Sequence, residues 1–266
     1  MTFRPRLIAT DLDGTIVNHD GSVSPRVVQA LSAAMDAGVR VVFVTGRPPR
    51  WMHEVAEATG HSGVGICGNG AFVYDMQTEN VLETFAMSAG VAVDAAHRVR
   101  EVLPGAAFAI ETALGFGHEP AYRPRWDAVA AAGVGPLSGI VSSDVAKLLV
   151  RDDAVPGDDM LRIAAPVLAD VVEVTHSDVN DSLLELSALG VTKGATLAKL
   201  AAEWGIAQNE VVAFGDMPND VDMLQWAGRG YAVGNAHPSV FAVADERAPS
   251  IDEDGVAQVL ERLLAL

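Results

Sequence analysis

The chain has 266 residues, half of them hydrophobic, and a formal net charge of −17. This length suits one large domain or two modest ones, and the apolar content is sufficient for a sizeable core. The strong negative charge argues against nucleic acid and anionic membranes as partners, because both require a basic face.

Cysteine content and apolar runs indicate the type of protein. The single cysteine, Cys67, excludes an internal disulfide framework. No signal peptide is visible, and no uninterrupted apolar run is long enough to cross a bilayer. We therefore expect a soluble cytoplasmic protein, either a monomer or a homodimer.

Predicted strands and helices alternate in the first third of the chain. Ser24 and Pro25 have the pattern of an N-cap followed by the first helical residue, and Gly38 ends that helix. The predicted elements are a strand at 7–10, a helix from Pro25, a strand at 39–44, a helix at 49–58 and a strand at 64–67. This order predicts a parallel sheet covered by helices.

The alternation loosens in the middle of the chain, where glycine and proline are frequent. Short apolar stretches there, at 107–110, 147–150 and 171–174, indicate strands of a smaller sheet. We therefore predict a separate domain over 86–182, inserted into a core built from residues 1–85 and 183–266.

The last third returns to the alternating pattern. Thr192 can cap a helix that ends at Gly205. The other elements predicted here are strands at 183–186, 211–214 and 231–233, a helix that starts at Asn219 or Asp220, and a closing helix at 256–263.

Polar segments follow several of the predicted strands. Ligands of open parallel sheets bind beyond the carboxyl ends of the strands. The segments are DLDGT at 11–15, TGR at 45–47, GNG at 68–70, GDMPND at 215–220, and Lys193 after the strand at 183–186. We expect all five to converge on one rim.

Asp11 and Asp13 are separated only by Leu12. Two close carboxylates repel each other, so one stays protonated unless a partner is present. A divalent cation removes this conflict, and Mg²⁺ prefers oxygen ligands and bridges carboxylates to phosphate. The alternative for Asp13 and the glycine after it is an ordinary turn.

DLDGT, the threonine–glycine pair at 45–46, Lys193 at a helix start and GDMPND together resemble the four motifs of the haloacid dehalogenase-like hydrolase superfamily. The long insertion, preceded by GNGA at 68–71, resembles the Cof-type branch, whose members carry a large α/β cap of the C2 type. The resemblance implies an α/β fold with a Rossmann-like parallel sheet, helices on both faces and an inserted α/β cap. It also implies a Mg²⁺-dependent phosphatase acting on small phosphorylated metabolites such as sugar phosphates.

The resemblance further assigns roles to single residues. Asp11 would attack phosphorus and form an aspartyl phosphate. Asp13 would protonate the leaving alcohol and then take a proton from water. Mg²⁺ would be held by the carboxylates of Asp11 and Asp216 and the backbone carbonyl of Asp13. The groups that hold or neutralise the phosphoryl group would be Thr45, Gly46, Lys193 and Asn219, and the supporting residues would be Asp220, Asn69 and Arg47.

The stretch 115–126 of the insertion is a candidate for substrate recognition. His118, Arg123 and Arg125 lie there among glycines, prolines and aromatic residues, and the arginines can meet an anionic group or sugar hydroxyls. The alternative is an ordinary solvated loop. His176 is a similar candidate.

Two other functions remain open at this point. A phosphomutase or phosphotransferase of the same fold would carry the same motifs and pass the phosphoryl group to a second hydroxyl. A non-catalytic module that binds a phosphorylated ligand would be expected to have lost Asp11, Asp13 or Lys193, and all three are present.

Overall fold

The structure, a computed structural model, describes residues 4–112, 115–124, 133–178 and 181–265. The chain divides into two compact units. The first unit comprises Met1–Glu83 and Thr192–Leu266, and the second comprises Thr84–Val191.

The N-terminal segment alternates strands and helices as predicted. Its elements are β1 (Leu7–Thr10), α1 (Pro25–Asp36), β2 (Arg40–Val44), α2 (Met52–Thr59), β3 (Val64–Cys67), β4 (Phe72–Asp75) and β5 (Asn80–Thr84). The Ser24 hydroxyl accepts a hydrogen bond from the Val27 amide at 3.2 Å, so the predicted N-cap of α1 is confirmed.

The middle segment builds a smaller sheet with its own helices. Its elements are α3 (Ala89–Val102), β6 (Ala107–Thr112), β7 (Gly115–His118), β8 (Gly133–Val134), α4 (Leu137–Ile140), β9 (Lys147–Arg151), α5 (Gly157–Leu168), β10 (Val172–Thr175) and β11 (Leu183–Ala188). Alternate residues of a strand face opposite sides of the sheet. Leu148 and Val150 of β9 accordingly belong to an apolar core with residues of α3 and α5.

The C-terminal segment completes the first unit. Its elements are α6 (Lys193–Glu203), β12 (Val211–Gly215), α7 (Val221–Trp226), β13 (Arg229–Ala232), α8 (Pro238–Phe241), β14 (Glu246–Arg247) and α9 (Gly255–Leu264). Thr192 caps α6, because its hydroxyl accepts a hydrogen bond from the Ala195 amide at 3.1 Å. Across the described residues, the helices lack the combination of length and apolar character that a membrane crossing requires.

Among the described residues, eight strands form the sheet of the first unit, in the order β14-β13-β12-β1-β2-β3-β4-β5. The pairs from β14 to β3 are parallel, and β3 and β4 are antiparallel. All four residues of the central strand β1 are fully buried, and α1 packs on α9 while α6 packs on α7. The predicted fold class, with a Rossmann-like parallel core, is confirmed.

The described part of the second unit holds six strands in the order β10-β11-β9-β6-β7-β8. Neighbouring strands are antiparallel, except for the parallel pair β7 and β8. One face of this sheet is covered by α3 and α5, which also pack on each other. Our interpretation of this unit as an inserted cap stays a proposal.

The strand predicted at 183–186 forms, but it belongs to the six-stranded sheet of the second unit and not to the core sheet that the sequence predicts. β11 pairs with β9 and β10, so the second unit extends to Val191 and does not end at the predicted boundary after residue 182. The short apolar run predicts a strand but does not specify its partners, which are set by the strands that lie beside it in space.

The face of the second sheet opposite its helices carries buried ion pairs that the sequence analysis did not identify. Lys147 Nζ lies 2.6 Å from Glu185 Oε1, and Arg151 donates to both oxygens of Asp181 at 2.7 and 3.1 Å. Glu111 stands opposite Lys147 in the strand register. Part of the signal was available, since Lys147 and Arg151 lie four residues apart in KLLVR and therefore on the same face of a strand.

Replacing Lys147 by methionine is expected to destabilise the protein by about 3–5 kcal/mol, because Glu185 then loses its buried counterion. The double variant K147M/E185L should recover most of this loss. As a control, R26M breaks the exposed pair with Glu261, whose side chains are 46% and 35% exposed, and should cost less than about 1 kcal/mol. Denaturant unfolding followed by circular dichroism measures all three, and equal losses in K147M and R26M would contradict the prediction.

Candidate active site

The candidate site lies at the carboxyl ends of three neighbouring strands. β1 lies between β12 and β2, and each of these strands is followed at once by a polar residue: Asp11, Asp216 and Thr45. The Asp11 amide donates to the Phe214 carbonyl at 3.0 Å, which extends the β1–β12 pairing by one residue. The parallel register therefore delivers all three side chains to the same edge.

Lys193 is the centre of a buried ion cluster at this edge. Its Nζ donates to Asp11 Oδ1 at 2.6 Å and to Asp220 Oδ1 at 2.7 Å. The lysine side chain is 0% exposed, and both carboxylates are buried. A cation at a helix N-terminus is unfavourable with the helix dipole. The two carboxylates provide the compensating charge.

Asp220 connects this lysine to the turn that carries Asp216. Its Oδ1 accepts from Lys193, and its Oδ2 accepts from the amides of Asp216 and Met217, both at 3.0 Å. A Cβ at Gly215 would lie 2.5 Å from the Asp220 Cβ, so glycine is needed for this approach. Because both oxygens already have partners, this geometry favours a supporting place for Asp220.

Three carboxylates crowd around the single lysine. Asp11, Asp216 and Asp220 present oxygens that lie within 4.8 Å of one another. Thr15 Oγ1 donates to Asp216 Oδ1 at 2.9 Å, and a Cβ at Gly14 would lie 2.3 Å from Asp216 Oδ2. Buried oxygens in excess of positive charge are the donor set that a hard divalent cation prefers, so these residues fit such a metal.

Burial and mutual repulsion shift the pKa values of the cluster. Burial raises the pKa of Asp11 to about 7, against the opposing effect of Lys193. Burial, reinforced by Asp11 and Asp220, raises the pKa of Asp216 well above its ordinary value. Burial alone would lower the pKa of Lys193, but its two carboxylate partners raise it instead. Lys193 therefore stays charged, but its single positive charge does not neutralise the carboxylates around it.

Asp13 has a different environment from Asp11. Arg47 grips it with two parallel hydrogen bonds, Nε to Oδ2 at 2.8 Å and Nη2 to Oδ1 at 2.5 Å. The Asp13 side chain is 55% exposed and that of Arg47 is 19% exposed. One acid is thus buried against a lysine, and the other remains accessible to solvent. Two carboxyls in such unlike environments suit two different chemical roles.

Besides Lys193, the residues predicted to bind phosphate are Thr45, Gly46 and Asn219, and they lie around the turn that carries the supporting residue Asn69. The Thr45 hydroxyl accepts from the Arg47 amide at 3.1 Å, and the Thr45 carbonyl accepts from the Asn69 amide at 3.0 Å. Asn219 Nδ2 donates to Asn69 Oδ1 at 3.1 Å. Gly46 follows Thr45 and is half-buried. The structure therefore brings Thr45, Asn69 and Asn219 together, as expected from the convergence of strand ends.

Several supporting residues were missed in the sequence analysis. Thr15 holds Asp216, as described above. Asn235 Nδ2 donates to the Gly14 carbonyl at 2.7 Å, and the His237 amide donates to the Asp216 carbonyl at 2.7 Å. Asn235 and His237 come shortly after β13, which lies parallel to β12. The strand-end rule used for the other motifs could have identified them.

The candidate substrate-recognition residues of the second unit differ from one another in their surroundings. His118 ends β7, and its Nδ1 lies 2.8 Å from the backbone oxygen of the next residue. Arg123 is exposed, and Arg125 lies outside the described residues. His176 is fully buried with Nε2 2.8 Å from Asp158 Oδ1, a placement typical of a structural histidine. Their roles toward a substrate stay predictions.

Comparison with known proteins finds relatives along the whole chain. A family model of haloacid dehalogenase-like hydrolases matches residues 8–113 and 138–260. A 5-amino-6-(5-phospho-D-ribitylamino)uracil phosphatase of Bacillus subtilis is 27% identical over 100% of both chains. A pyridoxal phosphate phosphatase of Escherichia coli is 28% identical over 96% of this chain and 97% of its own. A solved HAD subclass IIB sugar phosphatase has the same fold, with a TM-score of 0.82, 22% identity, and coverage of 98% of this chain and 100% of that one.

Replacing Asp216 by asparagine is expected to stabilise the metal-free protein at alkaline pH. The pKa of this carboxyl is higher in the folded than in the unfolded chain, so its charged form costs stability, and the cost grows as pH rises above about 4. Asparagine removes the charge and keeps an acceptor for Thr15. We expect D216N to melt about 3 °C above the wild type at pH 8 in EDTA, with a smaller gain at pH 5.

Thermal melts of the exposed first-turn variant D222N provide the matched control, because this change removes a carboxylate without relieving the cluster. A D216N melting temperature at or below that of the wild type at pH 8 would contradict the argument.

Proposed function

The chain belongs to the haloacid dehalogenase-like hydrolase family, and on this premise we propose that it is a Mg²⁺-dependent phosphatase of small phosphorylated metabolites. The predicted superfamily, its Cof-type branch and the predicted enzyme class, a phosphoric monoester hydrolase, are confirmed by this membership and by relatives named phosphatases. The observation that carries the proposal is the contact of 2.6 Å between buried Lys193 Nζ and Asp11 Oδ1, beside the excess carboxylate of Asp216.

Asp11 is the proposed nucleophile. Its carboxylate oxygen would attack phosphorus while the bond to the leaving oxygen breaks, which gives an aspartyl phosphate. Lys193 favours the ionised form of Asp11, against the effect of burial, and it would neutralise the phosphoryl charge that develops beside Asp11. Water then attacks the intermediate at phosphorus, and inorganic phosphate leaves as Asp11 is regenerated.

Asp13 is the proposed general acid and base. It would protonate the leaving alcohol in the first step and take a proton from the attacking water in the second. The exposure of its carboxyl group supports this assignment, since a leaving group can reach it. Arg47 occupies one acceptor site on each Asp13 oxygen and holds the carboxyl group in place, and the remaining lone pairs are available for proton transfer.

The remaining groups would hold charge and phosphoryl oxygens. We propose that Asp11, Asp216 and the Asp13 carbonyl hold Mg²⁺, which when bound supplies the positive charge that balances the carboxylates and phosphate. The Thr45 hydroxyl, the Gly46 amide and Asn219 would bind phosphoryl oxygens. Phosphoryl transfer depends mainly on such positioning and charge stabilisation.

Small phosphorylated metabolites are the proposed substrate class, sugar phosphates first among them. The names of two relatives specify a phosphorylated ribitylaminouracil and pyridoxal phosphate. The formal charge of −17 favours small molecules over nucleic acid or membranes as partners. We further propose that the second unit is a cap that reads the leaving group, with His118, Arg123 and Arg125 as candidate contacts.

Replacing Asp11 by asparagine is expected to reduce phosphate release from p-nitrophenyl phosphate by at least about 10³-fold, because the amide is a poor nucleophile. An unchanged circular dichroism spectrum checks that the fold is intact, and D222N serves as the active control. Residual turnover near the wild-type rate means that the nucleophile is another group. Assays of the wild type with sugar phosphates distinguish free phosphate from an isomerised product, which would indicate a mutase.

The loss of activity on replacing Asp13 by alanine should depend on the leaving group. An alkyl phosphate needs a proton on its departing oxygen, and its kcat/KM should fall by about 10²–10⁴-fold. p-Nitrophenolate leaves without protonation, so kcat/KM for p-nitrophenyl phosphate should fall much less. Steady-state assays of both substrates give the ratio, and an equal loss for the two would rule out Asp13 as the acid.

A further inference from the structure

Three consecutive residues with left-handed backbone follow β3, and we call them the 68–70 turn. The φ angles of Gly68, Asn69 and Gly70 are 61°, 59° and 107°. Glycine adopts such angles without strain, and asparagine is one of the few other residues that do so readily. A third glycine would satisfy the backbone at least as well, so the backbone alone does not explain the buried side chain of Asn69.

The 68–70 turn contacts three separate segments of the candidate site. The Asn69 amide donates to the Thr45 carbonyl at 3.0 Å, and Thr196 Oγ1 of α6 donates to the Gly70 carbonyl at 2.9 Å. The third contact is the hydrogen bond from Asn219 Nδ2 to Asn69 Oδ1 at 3.1 Å. Of these three contacts, only the one with Asn219 requires the side chain at position 69.

The backbone and the side chain of Asn219 are held by different residues. Its backbone belongs to a short 3₁₀ turn, Pro218–Asp220, which Asp220 fixes by accepting from two backbone amides. Its carboxamide nitrogen carries two hydrogens, one donated to Asn69 and the other available to a phosphoryl oxygen. Within the described ranges, Asn219 Oδ1 has no hydrogen-bond partner, so the rotation of the carboxamide depends on Asn69.

We propose that Asn69 is a positioning residue, which orients the Asn219 carboxamide toward the phosphoryl group. The inference rests on the proposed function, because it requires that Asn219 bind a phosphoryl oxygen. Asn69 acts without touching the substrate. Its backbone amide contacts Thr45 in the loop after β2, and its side chain contacts Asn219 in the 3₁₀ turn Pro218–Asp220.

Replacing Asn69 by glycine tests the side chain alone, because glycine keeps the left-handed backbone. The Kd for inorganic phosphate in the presence of Mg²⁺, measured by calorimetry, should rise about fivefold, the equivalent of one neutral hydrogen bond. The KM for p-nitrophenyl phosphate should rise by a similar factor, with kcat changed by less than about twofold. N69A should show the same rise in Kd at a lower melting temperature, since alanine strains this backbone.

A double-mutant cycle separates positioning from a general structural effect. N219A alone should weaken phosphate binding, and adding N69G to N219A should weaken it no further, because the group that Asn69 orients is already absent. If the two losses add fully, the inference is overturned. In the control E79G, glycine replaces another residue that has left-handed backbone, with φ 54°, in an exposed turn. This change should leave the phosphate Kd unchanged.

The outcomes distinguish this inference from the proposed function. If the wild type binds phosphate and hydrolyses p-nitrophenyl phosphate but N69G has the same Kd for phosphate, only the positioning role of Asn69 is overturned. A wild type that neither binds phosphate nor releases it from any phosphomonoester overturns the proposed function, and this inference with it.

Discussion

The other contacts of the candidate site depend on the two ion pairs made by the buried ammonium group of Lys193. It joins Asp11, at the end of the central strand, to Asp220, which in turn holds the backbone amides at Asp216 and Met217. Burying a lone cation is costly, and only paired, hydrogen-bonded carboxylates offset that cost. The contacts that fold this edge of the sheet are therefore the same contacts that would place the nucleophile and its counterion.

One lysine does not balance three carboxylates, and this imbalance links stability to function. Burial raises the pKa values of Asp11 and Asp216, so the metal-free site carries charge that folding disfavours. A hard divalent cation relieves the same excess. The proposed metal site and the electrostatic strain of the cluster are thus two consequences of one arrangement, in which Gly14 allows the Asp216 carboxylate to approach the loop after β1.

Around this cluster, precise placement comes from hydrogen bonds to the backbone and from small residues. Asn235 holds the Gly14 carbonyl, and the 68–70 turn joins the loop after β2 to Asn219. Asp13 lies outside the buried cluster, in the grip of Arg47. Asp11, the proposed nucleophile, is buried, and Asp13, the proposed proton carrier, is exposed. The two acids therefore have different environments although they lie two residues apart in the chain.

Features that depend on residues near one another in the chain could be predicted from the amino-acid sequence. Apolar runs and the caps at Ser24 and Thr192 predicted β1, α1 and α6, and the polar residues after strands predicted the edge at which the site lies. The sheet that β11 joins could not be predicted in this way, because a short apolar run identifies a strand without specifying its distant partners. Only the tertiary structure showed the partners of Arg47 and Lys147, because a charged side chain can pair with any opposite charge that folding brings near.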